Sequence, residues 1–262
     1  MIEGKLQGNV AIVTGSGRGI GKAISLEFAR QGADVVVNAH SDVKAIFKTA
    51  EEIRALGRRS LPVVADVSNT NDVKRLVSET TKEFGIIDIL VNNAGIMKPA
   101  PIEKLSEEAW DSVMNVNLKG AFLCSKYVGH QMIMRKNGVI INIASIAGFV
   151  PEVFAGAYSP SKAGLISLTQ LLALEWAKYN IRVNAICPGA IETAITNAEW
   201  PGKKREARIK AIPLKRFGKP EEVAKTAVFL ACSDSSYITG HALVTDGGSS
   251  QSMYSLVNLL IG

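Results

Sequence analysis

A doubly wound α/β architecture, three layers deep around a parallel sheet of about seven strands, is what this sequence predicts. Three observations lead there. Short β-branched runs alternate with helix-length stretches along the whole chain. The runs are almost continuously apolar rather than alternating, which marks strands covered on both faces, as in a parallel sheet under helices. A glycine-rich turn follows the first run directly and opens a helical pattern. Repeated β-α-β alternation of this kind winds helices onto both faces of one sheet.

In chain order, the expected strands are Val10–Thr14, Asp34–Ala39, Ser60–Ala65, Ile87–Asn92, Gly138–Ala144, Ile181–Ile186 and Ala242–Asp246. The helix-length stretches between them carry caps of the right polarity. "SNTNDVKRLVSETTKEFG" begins with Ser, Asn and Asp and ends at Gly85, as N-cap and C-cap preferences require. The stretch from Leu105 to Gly138 is long enough for one extended helix or two abutting ones, and Ala157–Asn180 reads as another long helix. No Pro/Gly-rich linker and no internal repeat divides the chain, so residues 1–262 read as a single domain. The one long irregular stretch, about 189–220, is expected to be functional, because loops of that length without structure of their own are uncommon.

Composition narrows the function classes. The chain has 262 residues, 47% hydrophobic and 21% charged, enough for one large core and too few charges for disorder. A net charge of +6 fits an anionic cofactor without singling out nucleic acid, and no basic stripe with interleaved aromatics supports nucleic-acid binding. Cys124, Cys187 and Cys232 form no C-x-x-C pair, so neither a metal site nor a redox dithiol is expected, and reduced thiols point to the cytoplasm. The first residues do not read as a signal peptide. No run reaches the ~18 apolar residues of a membrane span.

The turn reads "TGSGRGIG" over Thr14–Gly21. It misses the dinucleotide fingerprint G-x-G-x-x-G, since from Gly15 the third glycine would have to stand at Ile20. The physics is less strict than the pattern. Glycines are needed where φ is positive or where a side chain would block a phosphate. The following helix N-terminus then presents free N–H groups to the anion. Gly15, Ser16, Arg18, Gly19, Ile20 and Gly21 are therefore candidate cofactor contacts.

The spacing T-G-x-x-x-G-x-G resembles the cofactor turn of the short-chain dehydrogenase/reductase family. Further matches follow in order: "ADV" at Ala65–Val67, "NNAG" at Asn92–Gly95, Asn117 in "VNLKG", Ser145, "YSPSK" at Tyr158–Lys162 and "PGAIET" at Pro188–Thr193. Each motif alone is weak, but their order and spacing together are specific. The resemblance implies a seven-stranded Rossmann-like sheet and an NAD(P)-dependent oxidoreductase. It implies that Asp66 and Val67 flank the adenine, that Asn93, Ala94 and Gly95 lie along the cofactor, and that Pro188, Gly189, Ile191 and Thr193 meet the nicotinamide amide. It also implies that Asn117 positions a water linked to Lys162. For Asn92, bracing the strand end is an equal alternative. Within the family the chain is similar to glucose 1-dehydrogenases and 3-oxoacyl-carrier-protein reductases.

NAD-selective sites place an acid at the end of the second strand to hold the ribose 2′-OH. Here Ala39 stands at that place, followed by His40 and Ser41. Arg18 and Ser41 suit a 2′-phosphate, whereas Asp42 either opposes one or caps the next helix. The balance favours NADP(H) and leaves NAD(H) open.

Carbonyl reduction creates an oxyanion that must be protonated by an acid within hydrogen-bond reach. Tyr158 and Lys162, spaced i,i+4 at the start of a helical pattern, share one face. A cation there favours the phenolate. Ser145 follows the fifth strand at its C-terminal end and can donate to the substrate oxygen; a turn or cap serine is the plainer reading. Asn117, Ser145, Tyr158 and Lys162 are thus the candidate catalytic set, with no metal. Between Lys203 and Lys219 stand eight Lys/Arg and one acid, Glu206, readable as a solvated lid face or as an attraction for anions. Candidate pocket residues are Ile146, Glu152, Val153, Phe154 and Trp200. The apolar helices at 106–136 and 157–179 lead to an expected homotetramer, and the apolar tail from Met253 to Ile261 to a cover for a neighbour or the pocket mouth. A small-molecule carbonyl or alcohol is the expected substrate, with no nucleic acid and no membrane partner. A non-catalytic NADP-sensing scaffold is the alternative reading.

Overall fold

A computed structural model describes residues 4–194, 196 and 201–252. Seven strands form one sheet: β1 (Val10–Val13), β2 (Asp34–Ala39), β3 (Ser60–Val64), β4 (Ile89–Asn92), β5 (Gly138–Ile143), β6 (Ile181–Pro188) and β7 (Ala242–Thr245). Their spatial order is β3-β2-β1-β4-β5-β6-β7, and every pairing is parallel. The helices are α1 (Gly19–Arg30), α2 (Val43–Ala55), α3 (Thr70–Phe84), α4 (Glu107–Met114), α5 (Gly120–Arg135), α6 (Tyr158–Trp176), α7 (Lys203–Ala211) and α8 (Pro220–Ala231). This is the expected three-layer Rossmann-like arrangement.

The strands are continuously apolar because successive side chains feed opposite layers. Ala11 and Val13 join the core under α1, α2 and α8, with Ile24, Phe28, Ile46 and Leu230. Ile12 points the other way, into the core of α3, α5 and α6, with Leu76, Leu123, Met132 and Leu172. Buried asparagines interrupt these runs, and the amide nitrogens of Asn92 and Asn38 donate across the sheet. Asn92 Nδ2 donates to Asn142 Oδ1 at 2.8 Å and to Ser125 Oγ at 3.0 Å. Asn38 Nδ2 donates to the carbonyls of Val63 and Ala65. Asn92 thus takes the bracing role.

Two expectations are refined. The stretch around 106–136 is two helices joined by a π-helical turn over Asn115–Lys119. The irregular stretch at 189–220 contains α7, and its walls are pinned by a bridge between Ile191 and Gly218. The reversal of strand order between β1 and β4 opens a crevice at their C-terminal ends, where ligands bind in open α/β sheets. No helix among the described residues is long and apolar enough to cross a membrane.

Candidate active site

The glycine turn spans the crevice because its glycines are needed there. Gly15 has φ +63°, and a Cβ on it would stand 2.8 Å from Ala94 Cα. A Cβ on Gly21 would lie 2.4 Å from the Gly15 carbonyl oxygen and from Asn93 Nδ2. Gly19 has φ +56° and faces Thr193. Thr14 and Asn93 tie the turn to β4. Asn93 Nδ2 donates to the carbonyls of Thr14 and Gly15, and the N–H groups of Asn93 and Ala94 both donate to Thr14 Oγ1 at 3.0 Å. Helix α1 starts at Gly19 with no side-chain cap on its first N–H groups. An uncapped helix start behind a glycine turn fits the pyrophosphate of a dinucleotide.

From this turn one cavity of about 770 Å³ runs past the ends of β2, β4, β5 and β6 to α7. Among the sequence-predicted residues it brings together Gly15, Arg18, Gly19, Ile20, Ser41, Asp66, Val67, Asn93, Ala94, Gly95, Ser145, Tyr158, Lys162, Pro188, Gly189, Ile191 and Thr193. Ser16, Gly21 and Asn117 are not on its wall. The Ser16 side chain turns inward, and its Oγ accepts from Asn38 N–H at 2.8 Å. Gly21 acts by its smallness, beneath Gly15. Asn117 lies behind the wall, in the π-helical turn. Its Oδ1 accepts from Ile96 N–H at 2.8 Å, and its Nδ2 donates to Ile96 O at 2.9 Å and Ser161 Oγ at 3.0 Å.

At the β2 end of the cavity, Ala39 closes the strand, and Arg18, His40 and Ser41 line the wall with it. His40 Nδ1 stands 3.5 Å from Asp66 Oδ2. Asp42 caps α2, accepting from Ala45 N–H at 3.2 Å. At the other end Lys162 is 4% exposed. Its Nζ donates to Ile143 O at 2.7 Å and lies 5.6 Å from the centre of the Tyr158 ring. Burial lowers its pKa to about 8. Ser145 both caps a short 3-10 turn, accepting from Ala147 N–H at 3.1 Å, and faces the cavity. Of the candidate pocket residues, Ile146, Glu152 and Val153 line the cavity. Phe154 is not on its wall; it has φ +64° and is exposed. Trp200 and the tail from Met253 onward lie outside the described residues.

Sequence reasoning missed Thr14, Met97, Arg208 and the serines Ser249, Ser250 and Ser252, all but Thr14 on the cavity wall. A signal for the serines was present: "DGGSS" is turn chemistry. Asp246 accepts there from Gly248 N–H and Ser250 N–H.

The family model described as enoyl-(acyl carrier protein) reductase matches residues 15–250. A short-chain type dehydrogenase/reductase from Mycobacterium marinum superposes with a TM-score of 0.89 at 34% identity, over 94% of this chain and 96% of that one. This chain belongs to the short-chain dehydrogenase/reductase family. A 3-oxoacyl-[acyl-carrier-protein] reductase of Thermotoga maritima is 43% identical to this family member over 246 residues, 93% of this chain and 98% of the relative. An NAD-dependent glycerol dehydrogenase of Listeria innocua is 43% identical over 240 residues, 91% and 92% of the two chains. As a short-chain dehydrogenase/reductase the protein is an oxidoreductase, and the chemistry is nicotinamide-dependent interconversion of a carbonyl and an alcohol.

Proposed function

We propose that the enzyme reduces a small carbonyl compound, or oxidises the matching secondary alcohol, with Tyr158 as the acid and base. The observation that carries this is the buried Lys162, one helical turn from Tyr158 and on the same cavity as Ser145 and the glycine turn. When bound, the nicotinamide cofactor supplies or accepts the hydride at the substrate carbon. Ser145 donates a hydrogen bond to the substrate oxygen, where negative charge develops. Tyr158 gives that oxygen its proton in reduction and takes it back in oxidation. Lys162 favours the phenolate that Tyr158 leaves. Asn117 holds the Ile96 backbone and Ser161, and so sets the wall behind Lys162. Replacing Tyr158 by Phe is expected to abolish turnover while cofactor binding, read by fluorescence titration, largely survives. Lys162→Ala is expected to damage both. Near wild-type kcat in Tyr158→Phe would refute the assignment.

NADP(H) is the proposed cofactor, with NAD(H) the weaker one. Arg18 and Ser41 stand beside Ala39 where an acid would otherwise repel a 2′-phosphate, and Asp42 is engaged in capping. The NAD-dependent glycerol dehydrogenase relative is the counterweight. The check is kcat/KM with NADPH against NADH, in the wild type and in Arg18→Ala. The variant should lose mainly the NADPH activity, and a wild-type NADH preference would refute the proposal. The chain is proposed to act as one catalytic domain, with 189–220 as the substrate loop, in a cytoplasmic homotetramer. Its three cysteines are free and buried, which suits a reducing compartment. Exposed apolar side chains on α5 and α6 support the assembly.

A further inference from the structure

We infer that the substrate end of the cavity selects a neutral substrate with a second hydroxyl close to the reacting carbon, a diol, polyol or hydroxyketone, and that Glu152 makes the selection. This rests on the hydride-transfer reading above. Ionisable side chains on the described wall fall into three groups. Arg18, His40, Asp42 and Asp66 belong to the β2 end, and Tyr158 and Lys162 are the reacting pair. That leaves Glu152 and Arg208.

These two meet across the cavity. Glu152 comes from the segment between Ser145 and Tyr158, and its N–H donates to Ser159 Oγ at 3.0 Å, next to the proposed acid. Arg208 comes from α7, and its Nη2 donates to Glu152 Oε1 at 3.1 Å. The other carboxylate oxygen of Glu152 accepts no hydrogen bond among the described residues. Beyond Arg208, the chain at Ile212–Leu214 packs on Gly247 and Gly248. That contact places Ser249, Ser250 and Ser252 on the same wall. The Oγ atoms of Ser249 and Ser252 donate to carbonyls of their own turn, at 2.7 and 2.8 Å. Ser250 Oγ is buried without a partner among the described residues.

Three substrate classes meet this arrangement differently. A monohydric alcohol offers no donor to the spare carboxylate oxygen and leaves the buried Ser250 Oγ unpaired, and unpaired buried polar groups are costly. An anionic chain faces the Glu152 carboxylate, which repels it and competes with it for Arg208. A neutral hydroxyl donates to the spare oxygen while the pair stays intact, and hydrogen bonds to a charged acceptor are the stronger kind. Sites built to bond a substrate hydroxyl reject analogues lacking it by large factors.

The test compares kcat/KM for 2,3-butanediol, 2-butanol and 3-hydroxybutyrate, of equal chain length, with both oxidised cofactors. The wild type should favour the diol over 2-butanol by about tenfold or more, and 3-hydroxybutyrate should be poorest. In Glu152→Leu the diol-to-monohydric ratio should fall about tenfold. Glu152→Gln, which keeps an acceptor and the shape, should raise the 3-hydroxybutyrate ratio by a similar factor and serves if the Leu variant does not fold. Turnover of 2-butanol with no diol preference, a preference for 3-hydroxybutyrate, or unchanged ratios in both variants overturns this inference and leaves hydride transfer standing. No turnover of any of the three with either cofactor overturns both.

Discussion

At the level of single residues, the Lys162 ammonium is held where a charge is expensive. It is almost fully buried, with Ile143 O as its hydrogen-bond acceptor, and burial lowers its pKa from 10.5 to about 8. Between those two values the unfolded chain binds more protons than the folded one, so this residue makes stability rise with pH. Cys187 and Cys124 act in the opposite sense. Burial pushes their thiols from 9.0 up to about 11 and about 12, so the folded chain keeps those protons longer and stability falls above the ordinary thiol value. Comparing Lys162→Met with the wild type isolates the lysine. The melting temperature of the variant relative to wild type should be highest near pH 7 and decline as pH rises from about 8 to 10. A difference that stays flat over this range would refute the lowered value. The i,i+4 pair with Tyr158 was legible because helical spacing is local. The bond to Ile143 was not, since it joins residues brought together only by the sheet. The inward bond of Ser16 was hidden for the same reason, since its Oγ accepts from Asn38 on β2, a strand whose place beside the turn no local pattern announces.

At the level of elements, the π-helical turn over Asn115–Lys119 connects the fold to the site. A turn widened by one residue is often found at functional positions. In the sequence Asn117 was marked by its place in the family-like motif "VNLKG". The widened turn itself left no trace, because apolar spacing does not distinguish i→i+5 from i→i+4 bonding over five residues. The consequence is a clamp. Asn117 satisfies both backbone groups of Ile96 and reaches Ser161 on α6, so one side chain fixes the loop after β4 against the helix that carries Tyr158 and Lys162. Removing it leaves buried partners unsatisfied, at a cost of about 3 kcal/mol. Asn117→Ala should therefore melt several degrees lower and lose at least about tenfold in kcat/KM. A variant with wild-type melting temperature would show that the clamp does not hold the wall. Strand identities were legible for the complementary reason. Both faces of the sheet are covered, so the strands read as apolar runs with few polar breaks, and ends shifted by only a residue or two.

At the level of the whole molecule, the alternation of strands and helices shows in the sequence, but the strand order does not. Thr14 and Asn93 are joined across the β1–β4 switch by side-chain bonds between positions far apart in the chain, and no local pattern announces that pairing. The outer surface tells the same story about assembly. Leu171 and Leu174, one turn apart on α6, are 51% and 81% exposed, and Phe122 on α5 is 44% exposed. On an isolated protomer such side chains serve no core. Burying one leucine against a partner contributes about 2 kcal/mol, and in a symmetric interface the same patch is covered on both subunits. A charge placed there would be buried without a partner twice over. Leu174→Glu is therefore expected to split the proposed tetramer into smaller species in size-exclusion light scattering, while the wild type elutes with four times the 28.0 kDa protomer mass. Because Leu174 is far along α6 from Tyr158, cofactor binding should persist in the separated species. A variant of unchanged mass would remove this helix face from the interface, and a monomeric wild type would refute the assembly itself.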